Sequence, residues 1–239
     1  MNIVIPMAGL GTRFSNVGYK EPKPLIDIEG KPMIQQAVET LGFKGNYIFI
    51  IKKDHFIKNK IENLVKNSTV IEIDYTTEGP ASSALLAKDY INNNDELIIA
   101  NCDQIMWWDP DVVLEQIRTT NYDGVVVTYH ETTPKNSYVK INRKGQVTKV
   151  AEKQVISNIS LNGIHYWKKG SLFVSSAEEM INKNIRYNNE FYVAPTYNQL
   201  IDKGYTIGIH HIPNEVHNAI GTPEDLNLYY NKISTYEKN

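Results

Sequence analysis

Short apolar runs alternate with amphipathic segments through the first half of the chain, and this rhythm limits it to a few architectures. Ile3–Pro6, Tyr47–Ile51, Val70–Tyr75 and Leu97–Ala100 read as strands. Between them, Met33–Leu41, Asp54–Val65 and Ala81–Ile91 carry apolar residues near helical spacing. Strand and helix in alternation imply an α/β fold with a largely parallel sheet covered on both faces. In such sheets ligands bind beyond the carboxyl ends of the strands. Two loops, Ala8–Phe14 and Asn101–Gln104, follow strands at that edge and are expected to be neighbours in space.

The second half is more varied. Asp109-Pro110-Asp111 places a capping residue before a proline at the first helical position, which predicts a helix to about Arg118. Gly124–His130 reads as a valine-rich strand. From Tyr138 to Glu152 two extended runs flank Arg143-Lys144-Gly145, a hairpin signal. Leu161–Trp167 and Tyr205–His211 follow as strands; Ser171–Asn182, Glu190–Asp202 and Pro223–Tyr230 follow as helices. No repeat, low-complexity tract or flexible linker interrupts the 239 residues, which are read as one domain.

The formal net charge of −2 gives no broad basic field for nucleic acid or an anionic membrane, so neither is expected as a partner. Cys102 is the single cysteine, which excludes an internal disulfide and a cysteine-based zinc cluster and suits a reducing, cytoplasmic setting. Without a base partner beside it, Cys102 reads as buried and inert. Pro6 interrupts the first apolar stretch and no basic segment precedes it, unlike a signal peptide. No apolar run approaches the ~20 residues that span a bilayer.

The apolar run ending at Met7 breaks at once into Ala8-Gly9-Leu10-Gly11-Thr12-Arg13-Phe14, and Glu21-Pro22-Lys23-Pro24-Leu25 comes shortly after. A glycine-rich turn after a strand lets backbone N–H groups approach phosphate closely. Arg13 and Lys23 add a planar fork and a compact point charge, a combination suited to a triphosphate. The loop lacks the third glycine of a dinucleotide fingerprint and the closing Gly-Lys-Ser/Thr of a Walker loop.

With Gly30-Lys31-Pro32-Met33-Ile34 added, the chain resembles the sugar-phosphate nucleotidylyltransferases, which make nucleotide sugars from a nucleoside triphosphate and a sugar 1-phosphate. Ile5–Phe14 and Pro22–Ile34 match that signature closely, and a weaker match continues to Leu226. The resemblance implies a three-layer Rossmann-like nucleotidyltransferase fold with a small acceptor-side β-hairpin and helix region. It divides the domain into a nucleotide-binding half over 1–130 and an acceptor-binding half over 131–239, with no appended domain after Leu226.

By the same resemblance, Ala8, Gly9, Gly11 and Thr12 wrap the triphosphate, Arg13 holds the departing pyrophosphate, and Lys23 sits near the α-phosphate. Asp103, at the end of an apolar strand, anchors Mg²⁺, an ion that takes a carboxylate plus phosphate oxygens and keeps several waters. Thr76–Leu85 resembles the base-recognition segment, with Glu78, Gly79 and Ser82 on the nucleotide. Glu78 suits guanine or the N–H of uracil or thymine, which leaves the base open. Glu152 and Lys153 correspond to a pair that takes the acceptor's hydroxyls and its attacking phosphate, and Asn162 falls beside them.

Two departures stand out. The aspartate that commonly precedes Ile220-Gly221-Thr222 and gives the second metal contact is replaced by Ala219, with Asn218 as substitute ligand. Thr128 stands where thymidylyl relatives have a glycine, which points to an unusual acceptor. Trp107-Trp108 reads as packing, while Tyr187–Tyr192 is left open as a pocket wall or a subunit contact, and with it homo-oligomerisation.

The expected reaction joins a nucleoside triphosphate to a phosphorylated acceptor, foremost a sugar 1-phosphate. A cytidylyltransferase acting on a small phosphorylated alcohol, amide or phosphonate is the first alternative. A glycosyltransferase of related fold is the second, although Cys102-Asp103-Gln104 lacks the Asp-x-Asp that a nucleotide-sugar donor calls for. A regulatory subunit without catalysis is a third, against which Arg13, Lys23 and Asp103 all argue.

Overall fold

The computed structural model describes residues 1–236. Its first half runs through β1 (Asn2–Pro6), α1 (Thr12–Ser15), the short pair β2 (Asp27–Ile28) and β3 (Lys31–Pro32), α2 (Met33–Leu41), β4 (Asn46–Lys52), α3 (Lys58–Leu64), β5 (Thr69–Ile73), α4 (Pro80–Leu85), α5 (Lys88–Ile91) and β6 (Leu97–Ala100). The second half continues with β7 (Gln104–Met106), α6 (Pro110–Thr119), β8 (Gly124–His130), β9 (Ser137–Ile141), β10 (Val147–Glu152), β11 (Ile159–Trp167), α7 (Gly170–Asn182), α8 (Thr196–Asp202), β12 (Ile207–His211), β13 (His217–Ala219) and α9 (Pro223–Tyr236).

β1 lies inside the sheet, parallel to β4 on one side and β6 on the other, and β5 extends the sheet beyond β4. β11 runs antiparallel beside β6, β8 antiparallel to β11, and β12 parallel to β8. The sheet is therefore mixed and mostly parallel, with β11 the reversed strand of the main run. At Ser160 the start of β11 pairs with β9 instead of β6, and the β9–β10 hairpin joins the sheet there.

Both faces of β1 are buried because its apolar residues serve two cores. Val4 joins Ala81, Ala84, Phe173, Val174, Tyr197 and Leu200 under α4, α7 and α8. Ile3 and Ile5 join Ile34, Leu41, Ile61, Val113 and Ile117 under α2, α3 and α6. A third cluster of Phe14, Ile26, Met33, Ile105, Ile220 and Leu226 ties the first loop to β7 and α9. These layers are the three expected from the alternation in the sequence.

Local signals placed most elements well. Asp109 caps α6 as its sequence suggests, accepting from the Asp111 and Val112 N–H groups at 3.0 and 3.2 Å. Several expectations need correction, among them the strand read at Val70–Tyr75, which ends at Ile73, and the helix read at Pro223–Tyr230, which runs on to Tyr236. The helix read at Asp54–Val65 starts at Lys58, because Lys53–His55 forms a 3₁₀ turn and Phe56 takes a left-handed φ of 54°. The helix read at Ala81–Ile91 divides into α4 and α5, where Leu86 and Ala87 make tighter bonds to Ser83 and Ala84.

The helix read at Glu190–Asp202 begins only at Thr196. Pro195 cannot donate within a helix, and Asn188 and Asn189 adopt left-handed φ values of 47° and 64°. Residues 187–194 form instead a strap across the start of α4. The strand read at Tyr205–His211 starts at Ile207, since the Tyr205 N–H is used by the Leu200 carbonyl.

Candidate active site

Three chain segments meet at the carboxyl edge of β1 and β6. Gly9, Gly11, Thr12 and Arg13 come from the first loop, Lys23 and Pro24 from the 3₁₀ turn at Lys23–Leu25, and Asn101, Cys102 and Asp103 from the end of β6. With Gly221 they line an open cavity of about 310 Å³. The two loops expected to be neighbours are thus neighbours. Ala8 lies just beneath, buried against the sheet.

The loop favours glycine at position 11. Gly11 has a left-handed φ of 64°, and a Cβ there would stand 3.1 Å from the Lys23 Cβ. Glycine here lets Lys23 lie close against the loop in a conformation that side chains rarely adopt. From that position the Lys23 Nζ donates to the Asp103 Oδ2 at 2.5 Å, with both side chains about three-quarters shielded from solvent. Burial alone would lower the Lys23 pKa; the Asp103 carboxylate outweighs it, and the ammonium is held above its ordinary range. Gly221 backs this pair closely, since a Cβ there would come within 2.5 Å of the Asp103 Oδ2. The Ile220 N–H donates to the Asp103 carbonyl at 2.9 Å, so the segment after β13 fixes the carboxylate-bearing turn.

Cys102 is buried, and burial, with Asp103 adding to it, pushes its thiol up to about 12. Its burial is what its setting in the sequence implies. Trp108 packs on Phe43 and donates to the Thr40 and Leu41 carbonyls, and Trp107 lies beneath the Lys232 ammonium at 4.4 Å.

The Thr76–Leu85 segment follows β5. Gly79 has a φ of 125°, and a Cβ would lie 2.6 Å from both the N and O of Phe191. Phe191 zips onto this glycine, donating to the Glu78 carbonyl at 2.7 Å and accepting from the Ala81 N–H at 2.9 Å. Glu78 itself is taken up by Arg186, whose Nη2 reaches both carboxylate oxygens at 3.2 Å. Arg186 also stacks over Phe191 at 3.9 Å. Arg186 was not signalled by the sequence, and neither was the contact of the Tyr187–Tyr192 stretch with Gly79, because their partners lie far away along the chain. Ser82 is half-buried on α4, beside a Thr77–Ser83 hydroxyl pair at 2.6 Å.

On the far side, Lys153 takes a left-handed φ of 49° and donates to the Tyr192 hydroxyl at 2.6 Å. The Tyr192 and Tyr187 rings stand 4.4 and 5.5 Å from its Nζ. The strap thus packs against Lys153. Glu152 is buried and accepts from the Ser137 hydroxyl; burial pushes its carboxyl up, against the pull of that bond and of Lys153. Tyr192 is raised above the usual phenol range by burial first and then by Glu190 and Glu152, while Arg13 opposes them. Arg13 and the Lys153 region therefore share one electrostatic neighbourhood. Asn162 is buried, its Oδ1 accepting from the Ile164 N–H at 3.1 Å. The following Gly163 packs on Asn101. Thr128 is fully buried, 3.2 Å from the His211 Nδ1.

Asn218 has other partners than the cavity. Its Oδ1 accepts from Lys232 at 2.5 Å and its Nδ2 donates to the Ile105 carbonyl at 3.2 Å. Among the described residues no group of three or more histidine, cysteine or carboxylate side chains is arranged to hold a metal. Asp103 is the carboxylate that lines the cavity. That donor set fits a hard cation which brings most of its oxygens with a phosphate substrate, as Mg²⁺ does.

Comparison with known proteins agrees with this geometry. The family described as Nucleotidyl transferase matches residues 3–210. The Bifunctional protein GlmU of Methanocaldococcus jannaschii is 28% identical over 179 residues, covering 71% of this chain and 40% of that protein. The Low-salt glycan biosynthesis nucleotidyltransferase Agl11 of Haloferax volcanii is 24% identical over 235 residues, covering 95% of this chain and 64% of that one. The chain therefore spans less than two thirds of the length of either relative. The crystal structure of a nucleoside-diphosphate-sugar pyrophosphorylase from Vibrio cholerae RC9 superposes with a TM-score of 0.81 at 24% identity, over 95% of this chain and 98% of that one, a likeness of fold. No helix among the described residues is long and apolar enough to cross a membrane. The chain belongs to the nucleotidyl transferase family of enzymes.

Proposed function

We propose that the cavity binds a nucleoside triphosphate and that the enzyme transfers its nucleotidyl group to a phosphorylated small-molecule acceptor, a sugar 1-phosphate, with release of pyrophosphate. The observation that carries this reading is the meeting of the Gly9–Gly11 loop, Arg13 and the Lys23–Asp103 pair around one cavity. Phosphoryl-type transfer needs positioning and charge neutralisation more than covalent help. Backbone N–H groups of the loop would cradle the phosphates, Arg13 would draw charge onto the departing pyrophosphate, and Lys23 would neutralise the α-phosphate. Lys153, supported by Tyr192, would orient the acceptor phosphate. That phosphate is already an anion at neutral pH, so no general base is required.

Asp103 would hold Mg²⁺ together with substrate oxygens and water, and the ion would supply further neutralisation of the transferring group. Asn218 is left out of this assignment because Lys232 and Ile105 occupy both ends of its amide. The names of the relatives, which speak of glycan and nucleotide-sugar work, support a sugar acceptor.

The test is pyrophosphate release with Mg²⁺ across ATP, CTP, GTP, UTP and dTTP, each with a pool of sugar 1-phosphates, phosphocholine and related small phosphate esters. Release that depends on a sugar 1-phosphate and one base is expected. Release with a small phosphate ester alone would give the enzyme the cytidylyltransferase-type acceptor instead, a reading favoured by the Tyr187 and Tyr192 rings around Lys153. Asp103→Ala is expected to lower turnover on the order of a thousandfold or more while leaving cooperative unfolding intact. Near wild-type turnover in that variant would remove Asp103 from the reaction.

A further inference from the structure

We propose that Glu190 and Tyr192 of the strap are positioning residues for the transfer. The Glu190 carboxylate takes the Tyr192 hydroxyl proton as a hydrogen bond, so the phenol serves Lys153 only as an acceptor and leaves two ammonium donors for the acceptor phosphate. The proposal rests on the role given to Lys153 above and adds the pair that sets its direction.

The pair is assembled by the strap itself. Tyr187 and Glu190 exchange backbone hydrogen bonds at 3.0 and 2.9 Å around Asn188 and Asn189, whose left-handed φ values close a two-residue turn. Two residues apart, Glu190 and Tyr192 meet through their side chains, the Tyr192 hydroxyl donating to the Glu190 Oε2. Phe191 between them lies instead against the Arg186 guanidinium. Its backbone is bonded to the Glu78 carbonyl and the Ala81 N–H, which anchors the residues on either side of it.

Lys153 approaches from the β9–β10 hairpin. It follows Glu152, the last residue of β10, and its N–H donates to the Asn136 carbonyl at 3.0 Å. Its Nζ donates to the Tyr192 hydroxyl at 2.6 Å and stands 4.4 Å from the centre of the same ring. Among the described residues Lys153 makes no direct ion pair; Glu190 reaches it through the phenol. A carboxylate bonded directly to the ammonium would compete with a phosphate for its charge. Placed behind a neutral hydroxyl, the carboxylate fixes direction and leaves the charge available. Burial, then Glu190, holds Tyr192 above the ordinary phenol range, so the hydroxyl keeps its proton at neutral pH. Arg13, which lines the cavity, is near enough to oppose that shift, so the pair borders the phosphate site.

The test measures pyrophosphate release against acceptor concentration, with the nucleoside triphosphate and the sugar 1-phosphate or phosphocholine that support release by the wild type. Tyr192→Phe keeps the ring beside Lys153 and removes the hydroxyl. It is expected to lower kcat/KM for the acceptor roughly ten- to hundredfold, the worth of one hydrogen bond to a charged group, while the nucleotide KM shifts by less than about threefold. In a Lys153→Met background the same change should cost less than about threefold, since the hydroxyl acts through the ammonium. Glu190→Gln retains an acceptor for the phenol and should keep most of the acceptor kcat/KM, whereas Glu190→Ala should lose about three- to tenfold. The nucleotide KM does not depend on the folded fraction and reports an intact site in every variant. An acceptor kcat/KM within about threefold of wild type in Tyr192→Phe, losses that multiply in the double variant, or an equal rise in the nucleotide KM overturns the proposal. If no phosphorylated acceptor supports release by the wild type, the proposed reaction fails and the positioning role with it. Unimpaired release by Lys153→Met rejects Lys153 and this pair while the reaction stands.

Discussion

His165 shows how a single buried group sets a response to pH. It sits on β11 with its Nδ1 unpaired, near the Trp167 and Tyr197 rings at 6.0 and 5.9 Å. Burial pushes its pKa down to about 3, and burial likewise pushes His217 down to about 4. The unfolded imidazole titrates near 6.5, so below that value the unfolded chain binds protons that the folded chain refuses. Stability supplied by neutral histidine is whole above about pH 6.5 and is lost as pH falls towards the folded values. The urea midpoint should therefore drop between pH 7 and pH 4.5. His165→Phe should flatten that drop by up to about 1.4 kcal/mol per pH unit. An unchanged slope in the variant would show that His165 is not the group responsible.

Helix starts supply the cleanest element-level check, because a cap acts locally. Asp109 satisfies two N–H groups of α6 and stands apart from the cavity lining. Asp109→Ala should cost about 1 kcal/mol in urea unfolding and leave pyrophosphate release untouched. A loss of activity instead would mean that α6 and the neighbouring turn at Trp107–Trp108 transmit strain to β7 and the Asp103 turn. The strap of residues 187–194 is the opposite kind of element. It has no regular hydrogen-bond ladder of its own and is held by Phe191 against Gly79, by Arg186 on Glu78 and by Tyr192 on Lys153. It joins the Thr76–Leu85 segment to Lys153, two regions that lie far apart in the sequence.

The cavity is lined by the N-terminal loop and turn, the end of β6 and Gly221, so ligand bound there should stabilise the entire cooperative unit. Occupancy at a hundredfold excess over Kd is worth about 2.7 kcal/mol. For a chain of this size that corresponds to a rise in Tm on the order of 5–10 °C. Thermal melts with the preferred nucleotide and Mg²⁺ should show this rise, and Arg13→Ala should reduce it. An unchanged Tm at saturating nucleotide would place the triphosphate elsewhere.

Most of the architecture was readable from residue order because its causes are local. Met33–Leu41, Leu97–Ala100 and Gly124–His130 form over just the residues whose apolar pattern marks them. The glycine loop with Arg13 and Lys23 is similarly local, since glycine adopts the left-handed φ at position 11 without strain. Other features depend on partners far along the chain. β7 and β13 are too short to carry a pattern and exist because Asn218 and Ile105 pair across the fold. Pairing with Lys232 on α9 turned Asn218 from a candidate ligand into an internal brace. The register of β4 against β1 and β5 buried Lys52 where its own surroundings in sequence, Lys53 and Asp54, suggest open solvent. Local pattern records which backbone conformation and which face a residue prefers. Which distant group ends up beside it is a matter of packing, and the surroundings of Asn218, the strap and Lys52 follow from that packing alone.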